Sequence, residues 1–114
     1  MFDHISESEN LLHKNELGII VQCIKCKKIA IIINSILYNC SEEDYNKLYQ
    51  TIQKVDQNLV DYIFEIAEKK YIVIDTALEN VNLIFDLNQF EQLTELFSQS
   101  NYMINIHNLI NKLS

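Results

Sequence analysis

The sequence predicts an α+β fold in which an antiparallel sheet of about five strands packs against helices. Two observations lead to this prediction. Strand-like runs of aliphatic and aromatic residues come in pairs joined by short links, and each pair precedes an amphipathic segment that starts with a helix-capping residue. The chain therefore reads as two strand–strand–helix units with an extra first strand. With 114 residues it is long enough for one hydrophobic core.

The first unit begins after a polar segment. Residues 1–15 are mixed and polar, which predicts a lead-in, and residues 16–114 are predicted to form a single α+β domain. Gly18 precedes a strand-like run, and residues 29–33 form a second run that is apolar on both faces. This pattern is typical of a central strand that is covered on both sides.

A short turn, a strand and a helix complete this unit. Asn34 and Ser35 fit a two-residue turn before a third strand at residues 36–40. Ser41 is a helix-capping residue type, and three acidic residues follow it in the first turn, where the helix dipole favours negative charge. Apolar residues then recur at helical spacing. They are Tyr45, Leu48, Tyr49, Ile52 and Val55.

The second unit follows an ambiguous segment. Residues 58–68 fit both a helical and an alternating pattern, and we predict a helix there. Residues 71–74 read as a strand and residues 79–80 as a turn. Residues 81–85 alternate as a further strand, and Asp86 is placed to cap the helix that follows.

The C-terminal part of the chain is predicted to hold two helices. The first has an apolar face that ends at Phe97, and the polar residues 98–101 then predict an interruption. The last helix carries an apolar stripe that either closes the core or forms a dimer face, and we expect it to close the core. This stripe consists of Ile106, Leu109, Ile110 and Leu113.

The two units suggest that residues 35–55 are repeated by residues 80–100. When the two segments are aligned without a gap, their inward strand positions, their helix caps and their apolar helix faces coincide. Cys40 then aligns with Phe85, an expected core position. Any strand–cap–helix unit would match about as well. A true repeat and a shared pattern therefore stay open as alternatives.

Composition and charge exclude several classes of function. All nine positive charges are lysine, the net charge is −7, and there is one glycine. The lack of arginine and the acidic charge argue against direct binding of nucleic acid, and one glycine cannot build a phosphate-binding loop. The chain shows no signal peptide and no membrane-spanning run, which predicts a cytoplasmic protein without a membrane partner. An odd cysteine count fits the reduced thiols of that compartment.

Cys23 and Cys26 form the most informative motif, a CxxC between two predicted strands. Two thiolates at this spacing supply two corners of a tetrahedral zinc site, so zinc is the cofactor that this motif would bind. Three nearby lysines, Lys25, Lys27 and Lys28, would offset thiolate charge. The candidates for the remaining corners are His13, Cys40, His4, His107, a water molecule or the CxxC of a second chain.

Two other interpretations of the CxxC stay open. A redox pair of the thioredoxin type lies at a helix N-terminus, whereas strand-like sequence follows Cys26 here. Alternatively, the two cysteines are ordinary residues of a hairpin that binds no cofactor. Cys40 is itself a good small apolar core residue.

No pair of groups stands in a recognisable acid–base or nucleophile arrangement, so we predict that the protein is not an enzyme. The biochemical function cannot be derived from the sequence. We predict a non-catalytic protein-interaction domain that binds another protein or itself. A structural zinc knuckle is the first alternative and a thiol redox protein is the second.

The order CxxC, aliphatic strand, turn, strand and capped helix resembles an uncharacterised family of small bacterial proteins. The resemblance spans residues 17–97, with residues 71–76 and 81–96 in its second half. It implies the fold but no established activity. Members usually have a glycine near the second turn, where this chain has Asn34 and Ser35. The residues that carry the resemblance are Gly18, Cys23, Cys26, residues 31–33, Ser41, Glu42, Glu43, Tyr45 and Leu48.

Overall fold

The fold is α+β, as predicted, in a computed structural model that describes residues 9–75 and 82–113. The strands are β1 (Glu9–Lys14), β2 (Gly18–Cys23), β3 (Ile29–Ile33), β4 (Ile36–Cys40), β5 (Ile63–Ile66), β6 (Lys69–Asp75) and β7 (Asn82–Asp86). The helices are α1 (Glu42–Gln57), α2 (Leu59–Tyr62) and α3 (Leu87–Leu113).

The strands form two antiparallel sheets, so the prediction of one sheet of about five strands is wrong. The first sheet has the order β1-β2-β3-β4 and the second has the order β5-β6-β7. Each strand pairs with its neighbour in sequence, and α1 and α2 separate β4 from β5. Because each set of strands is linked by short connections, both sheets form locally and neither pairs with the other.

Two segments account for the additional strands. Residues 9–14 of the expected polar lead-in form β1, because Leu12 lies in the core and the backbone pairs with β2. In the segment 58–68 the predicted helix is correct only for α2. Its second half forms β5, whose Ile63 pairs with the fully buried Ile72.

The structure confirms the turn between β3 and β4 and the capping residues of α1 and α3 that the sequence predicts. Asn34, in the turn between β3 and β4, has a φ of 55°. Ser41 Oγ accepts a hydrogen bond from Asp44 N at 3.1 Å. Asp86 Oδ1 accepts one from Gln89 N at 2.7 Å, which caps α3. The turn expected at residues 79–80 lies outside the described residues, as does Val81.

The predicted break at residues 98–101 is wrong, because α3 runs through it as one helix. Phe97, Ser100 and Ile104 are all buried at helical spacing, so packing continues across the polar run. Ser98 Oγ donates to Glu95 O at 3.2 Å, which satisfies its hydroxyl group within the helix.

The apolar stripe at the end of α3 does not close the core among the described residues. Leu109 and Leu113 are 59% and 81% exposed, Ile110 is also exposed, and Ile106 is half-buried. The buried part of α3 ends at Ile104, so the expectation that the whole stripe packs inward is wrong.

The core lies between the two sheets' inner residues and the helices α1 and α3. Tyr45 stacks on Phe97 with ring centroids 5.2 Å apart, and the Tyr45 hydroxyl donates to Phe97 O at 2.7 Å. Burial raises the pKa of Tyr45 further above its ordinary value. Cys40 and Phe85, which the pseudo-repeat aligns, are both buried core residues.

Candidate functional site

The CxxC lies in the turn that joins the central strands β2 and β3. Cys23 is the last residue of β2, and its N–H donates to Lys28 O at 2.9 Å. Lys27 N–H donates to Cys23 O at 3.1 Å. These two backbone hydrogen bonds close the hairpin, so the turn holds both cysteines at one end of the first sheet.

A backbone amide is directed at the first sulfur of this turn. Cys26 N–H donates to Cys23 Sγ at 3.3 Å. Lys27 follows with a φ of 65°, a left-handed conformation that turns the chain back toward β3. The amide donor and the left-handed residue together set the conformation of the turn around the Cys23 sulfur.

The two cysteines differ in exposure. Cys23 is buried, whereas Cys26 is exposed, as are Lys25, Lys27 and Lys28. No disulfide joins the cysteines. The turn leads into β3 and does not lie at a helix N-terminus, so the dipole that activates a thioredoxin-type thiol is missing.

Gln22 anchors the turn to the helices, and sequence reasoning missed this residue. Its side chain is buried, and Nε2 donates both to Lys27 O at 2.9 Å and to Glu42 Oε2 at 2.8 Å. Glu42 Oε1 also accepts from Asn108 Nδ2 on α3 at 3.3 Å. The available signal was a polar residue on the apolar inward face of a strand, directly before the first cysteine.

His13 does not lie near the CxxC. It pairs with Ile20 in the register of β1 and β2, three residues from Cys23, and it lies on the face that contacts α3. Its Nε2 is 2.9 Å from Glu95 Oε1. The expectation that His13 folds back beside the hairpin is therefore not met, because the pairing of β1 with β2 directs it toward α3.

Asn15 and His13 both contact the carboxylate of Glu95, and this pH-dependent contact joins the β1–β2 hairpin to α3. Asn15 Nδ2 donates to Glu95 Oε1 at 2.8 Å, and this bond, followed by the one from His13, lowers the pKa of Glu95 below its ordinary value. The contact stabilises the fold above the unfolded-state pKa of Glu95 and is lost as the pH falls through the lowered folded-state pKa.

We therefore expect Glu95 to titrate below the ordinary glutamate range in a carboxyl NMR titration. In Asn15→Ala the pKa should move up toward that range, because the strongest hydrogen bond is gone, and in His13→Ala it should move up less. An ordinary pKa in the native protein would show that these bonds do not form in solution.

Cys40 is also separated from the CxxC. It pairs with Ile29 on the inner face of the sheet and is buried in the core. Burial, and then the charge of Asp44, raises the pKa of Cys40 to about 12, so its thiol stays protonated. Cys40 was considered as a metal ligand, but it does not lie beside the CxxC. Its position is explained by its role as an apolar core residue.

The remaining histidines do not complete the site within the described residues. His107 Nδ1 lies 3.5 Å from Asn10 Nδ2, on the side of β1 that contacts α3. His4 lies outside the described residues. In residues 9–75 and 82–113, no group of three or more histidine, cysteine, aspartate or glutamate side chains is arranged to hold a metal ion.

A second feature adjoins the CxxC, the outer face of the first sheet. Asn10, His13 and Gln22 on the inner face contact α1 or α3. The side chains that point the other way are aliphatic at the centre of the sheet, and polar residues lie at its two edges, Glu9 and Lys14 on β1 and Asn39 on β4. The aliphatic part of this outer face consists of Leu11, Ile19, Val21, Ala30, Ile32 and Leu37.

The outer face is continuous and partly open. Ile19 pairs with Ile32, and Ile32 pairs with Leu37, which makes an aliphatic row across three strands. Ile19, Ile32 and Leu37 are half-buried and Leu11 at the edge is exposed, whereas Ala30 and Cys23 on the same face are buried. Cys23 continues the line of Ile19 and Val21 on β2, so the CxxC turn lies at one end of this face.

A shallow groove lies between α1 and α3, with a volume of about 380 Å³. It is lined by Tyr49, Ile52, Gln53, Asp56, Thr94, Glu95 and Ser98. The Glu95 carboxylate, which lines this groove, is already bound by Asn15 and His13.

Among the described residues, no helix is long and apolar enough to cross a membrane. No curated protein and no solved structure matches the chain. A family model matches residues 5–112, nearly the whole sequence, and the family has no known function, in agreement with the resemblance to an uncharacterised family. The chain therefore belongs to the family of unknown function DUF6686.

Proposed function

We propose that this protein is a non-catalytic interaction domain that joins two copies of itself through the outer face of its first sheet. The observation that carries the proposal is the aliphatic centre of that face, to which each of the four strands contributes at least one residue. The proposal includes a cytoplasmic location, which suits the cysteines, none of which is in a disulfide.

The composition of the outer face departs from that of a solvated sheet. An antiparallel sheet with one face in water alternates apolar and polar residues along each strand. Here β3 reads Ile-Ala-Ile-Ile-Ile, and its outward residues Ala30 and Ile32 have aliphatic partners on β2. Contiguous apolar patches of this kind mark interaction sites on folded proteins. We therefore expect the face to be covered in the functional assembly.

A second copy is the occupant that the adjoining CxxC favours. Two thiolates form half of a tetrahedral site, and a second copy presents the other half. The CxxC turn joins the two central strands of the sheet. If two copies pack outer face to outer face, a twofold axis can lie between the sheets, parallel to the strands and level with the gap between β2 and β3. Such an axis brings the two CxxC turns face to face. Sheets packed in this aligned way lie about 10 Å apart, with their strands nearly parallel. The interface is isologous, as in most dimers.

The test is the effect of one lysine on the oligomeric state. Ile32→Lys places a charge at the centre of the outer face, where a dimer would have to bury it. Sedimentation velocity should show a dimer for the native chain and a monomer for Ile32→Lys. Far-UV circular dichroism should confirm that the variant is folded, because a lysine at this half-buried site can extend into water.

Ile84→Lys is the matched control. Ile84 is likewise an isoleucine in the middle of a strand, but it is exposed and lies on β7 in the second sheet. We expect this variant to remain a dimer. A native chain that stays monomeric at high concentration contradicts the proposal, and so does a dimer that Ile84→Lys dissociates while Ile32→Lys does not.

A further inference from the structure

We infer that Cys23 and Cys26 form half of a zinc site, and that the same two residues of a second copy supply the other half. The inference rests on the proposed self-association. It assigns a ligand to the CxxC, namely one zinc ion bound by four thiolates and shared by two chains.

The first argument is that the CxxC turn is already shaped for a metal. The hydrogen bond from Cys26 N–H to Cys23 Sγ and the left-handed Lys27 fold the turn around its first sulfur. The buried Gln22 then fixes the turn by donating to Lys27 O and to Glu42. Because the turn is already held in place on both sides, it would lose little conformational entropy when a metal binds.

The second argument concerns the number of ligands. A structural zinc site takes four protein ligands, with thiolate sulfur at about 2.3 Å from the metal. Residues 9–75 and 82–113 contain no third ligand arranged beside the two cysteines, and His13 and Cys40 lie on the opposite face of the sheet. Cys26 is exposed at the end of the outer face, so a second turn can approach it.

The third argument is the charge and the choice of metal. When four thiols bind Zn²⁺ they release four protons and leave a centre with a net charge of about −2. Lys25, Lys27 and Lys28 are exposed around each turn and offset this charge in an otherwise acidic chain. A tetrahedral set of four thiolates selects zinc among the common divalent metals.

The test is a Co²⁺ titration of reduced, tag-free protein, because cobalt in a tetrahedral site of four thiolates absorbs strongly in the visible range. We expect the absorption to saturate at one Co²⁺ per two chains and to be displaced by Zn²⁺. Cys26→Ser alters an exposed residue and should abolish it, whereas Cys40→Ala should retain it. The monomeric Ile32→Lys should lose at least tenfold in apparent cobalt affinity.

Sedimentation of the same samples separates the two proposals. A dimer that binds no Co²⁺ overturns the zinc site and leaves the self-association intact. A monomer that binds one Co²⁺ per chain overturns both, and loss of that binding in His4→Ala would show that the other ligands come from outside the described residues. A cobalt spectrum that Cys40→Ala abolishes would also overturn the shared site.

Discussion

Gly18→Ala is expected to lower the free energy of unfolding by about 3 kcal/mol. A Cβ atom at Gly18 would overlap Ile32 O and would lie 3.2 Å from Ile33 Cα. Both obstacles are backbone atoms of the paired strand β3, so no side-chain rotation relieves the overlap. The first residue of β2 must instead move away from the sheet. Equilibrium unfolding in urea measures this change directly.

Lys14→Ala is the comparison for this variant. Lys14 is exposed and pairs with Ile19 on the same hairpin, so its replacement by alanine introduces no overlap. We expect a change within about 0.5 kcal/mol. Equal midpoints and slopes for Gly18→Ala and the native protein would mean that β2 and β3 are farther apart in solution than in this structure.

Phe97→Ala should have the largest effect on stability, a loss of about 3–5 kcal/mol. Phe97 is 1% exposed, and its ring stacks on Tyr45 of α1 with an interplanar angle of 8°. Alanine leaves a cavity between α1 and α3, and it removes the ring against which the buried tyrosine packs. Thermal and urea unfolding should both register the loss.

Tyr102→Ala tests whether the loss comes from burial. Tyr102 is an aromatic residue of the same helix but is 61% exposed. Its replacement should change the stability by about 0.5 kcal/mol or less. If the two variants were equally stable, the helix α3 would not pack on α1 through Phe97.

The parts of the fold that the sequence predicted correctly depend on neighbouring residues. Ser41 and Asp86 were recognised as caps because each needs only an amide three residues later. Asn34 and Ser35 were recognised as a turn because asparagine tolerates a left-handed backbone. Such signals lie within one turn of chain, and one sequence is enough to detect them.

The errors concern contacts between distant residues. Ile63 joins a strand because it pairs with Ile72, a partner that its own neighbours do not reveal. The polar run around Ser100 stays helical because Phe97, Ser100 and Ile104 are buried along one side of α3, not because of its own helix propensity. Tertiary packing decided both cases, and a pattern read along the chain contains no information about it.

The sequence was enough to predict the CxxC half of the candidate site but not the ligands that would complete it. Cys23 and Cys26 were placed correctly in a turn between strands, because flanking aliphatic runs determine that location. The missing ligands were not predictable, since the face of the sheet on which His13 and Cys40 lie depends on register. β3 was expected to be covered on both sides. Its inner face is covered by the core, and on its outer face Ala30 is buried while Ile32 is half-buried, so the proposed second copy would complete the coverage of Ile32.

The most direct test of the proposed assembly is an isotope-filtered NMR experiment on a mixture of labelled and unlabelled chains. It detects only contacts between methyl groups of different copies. We predict such contacts among Ile19, Val21 and Ile32 of the outer face. Contacts confined to Ile66 and Ile84 of the second sheet, or an absence of contacts between copies, would contradict the account.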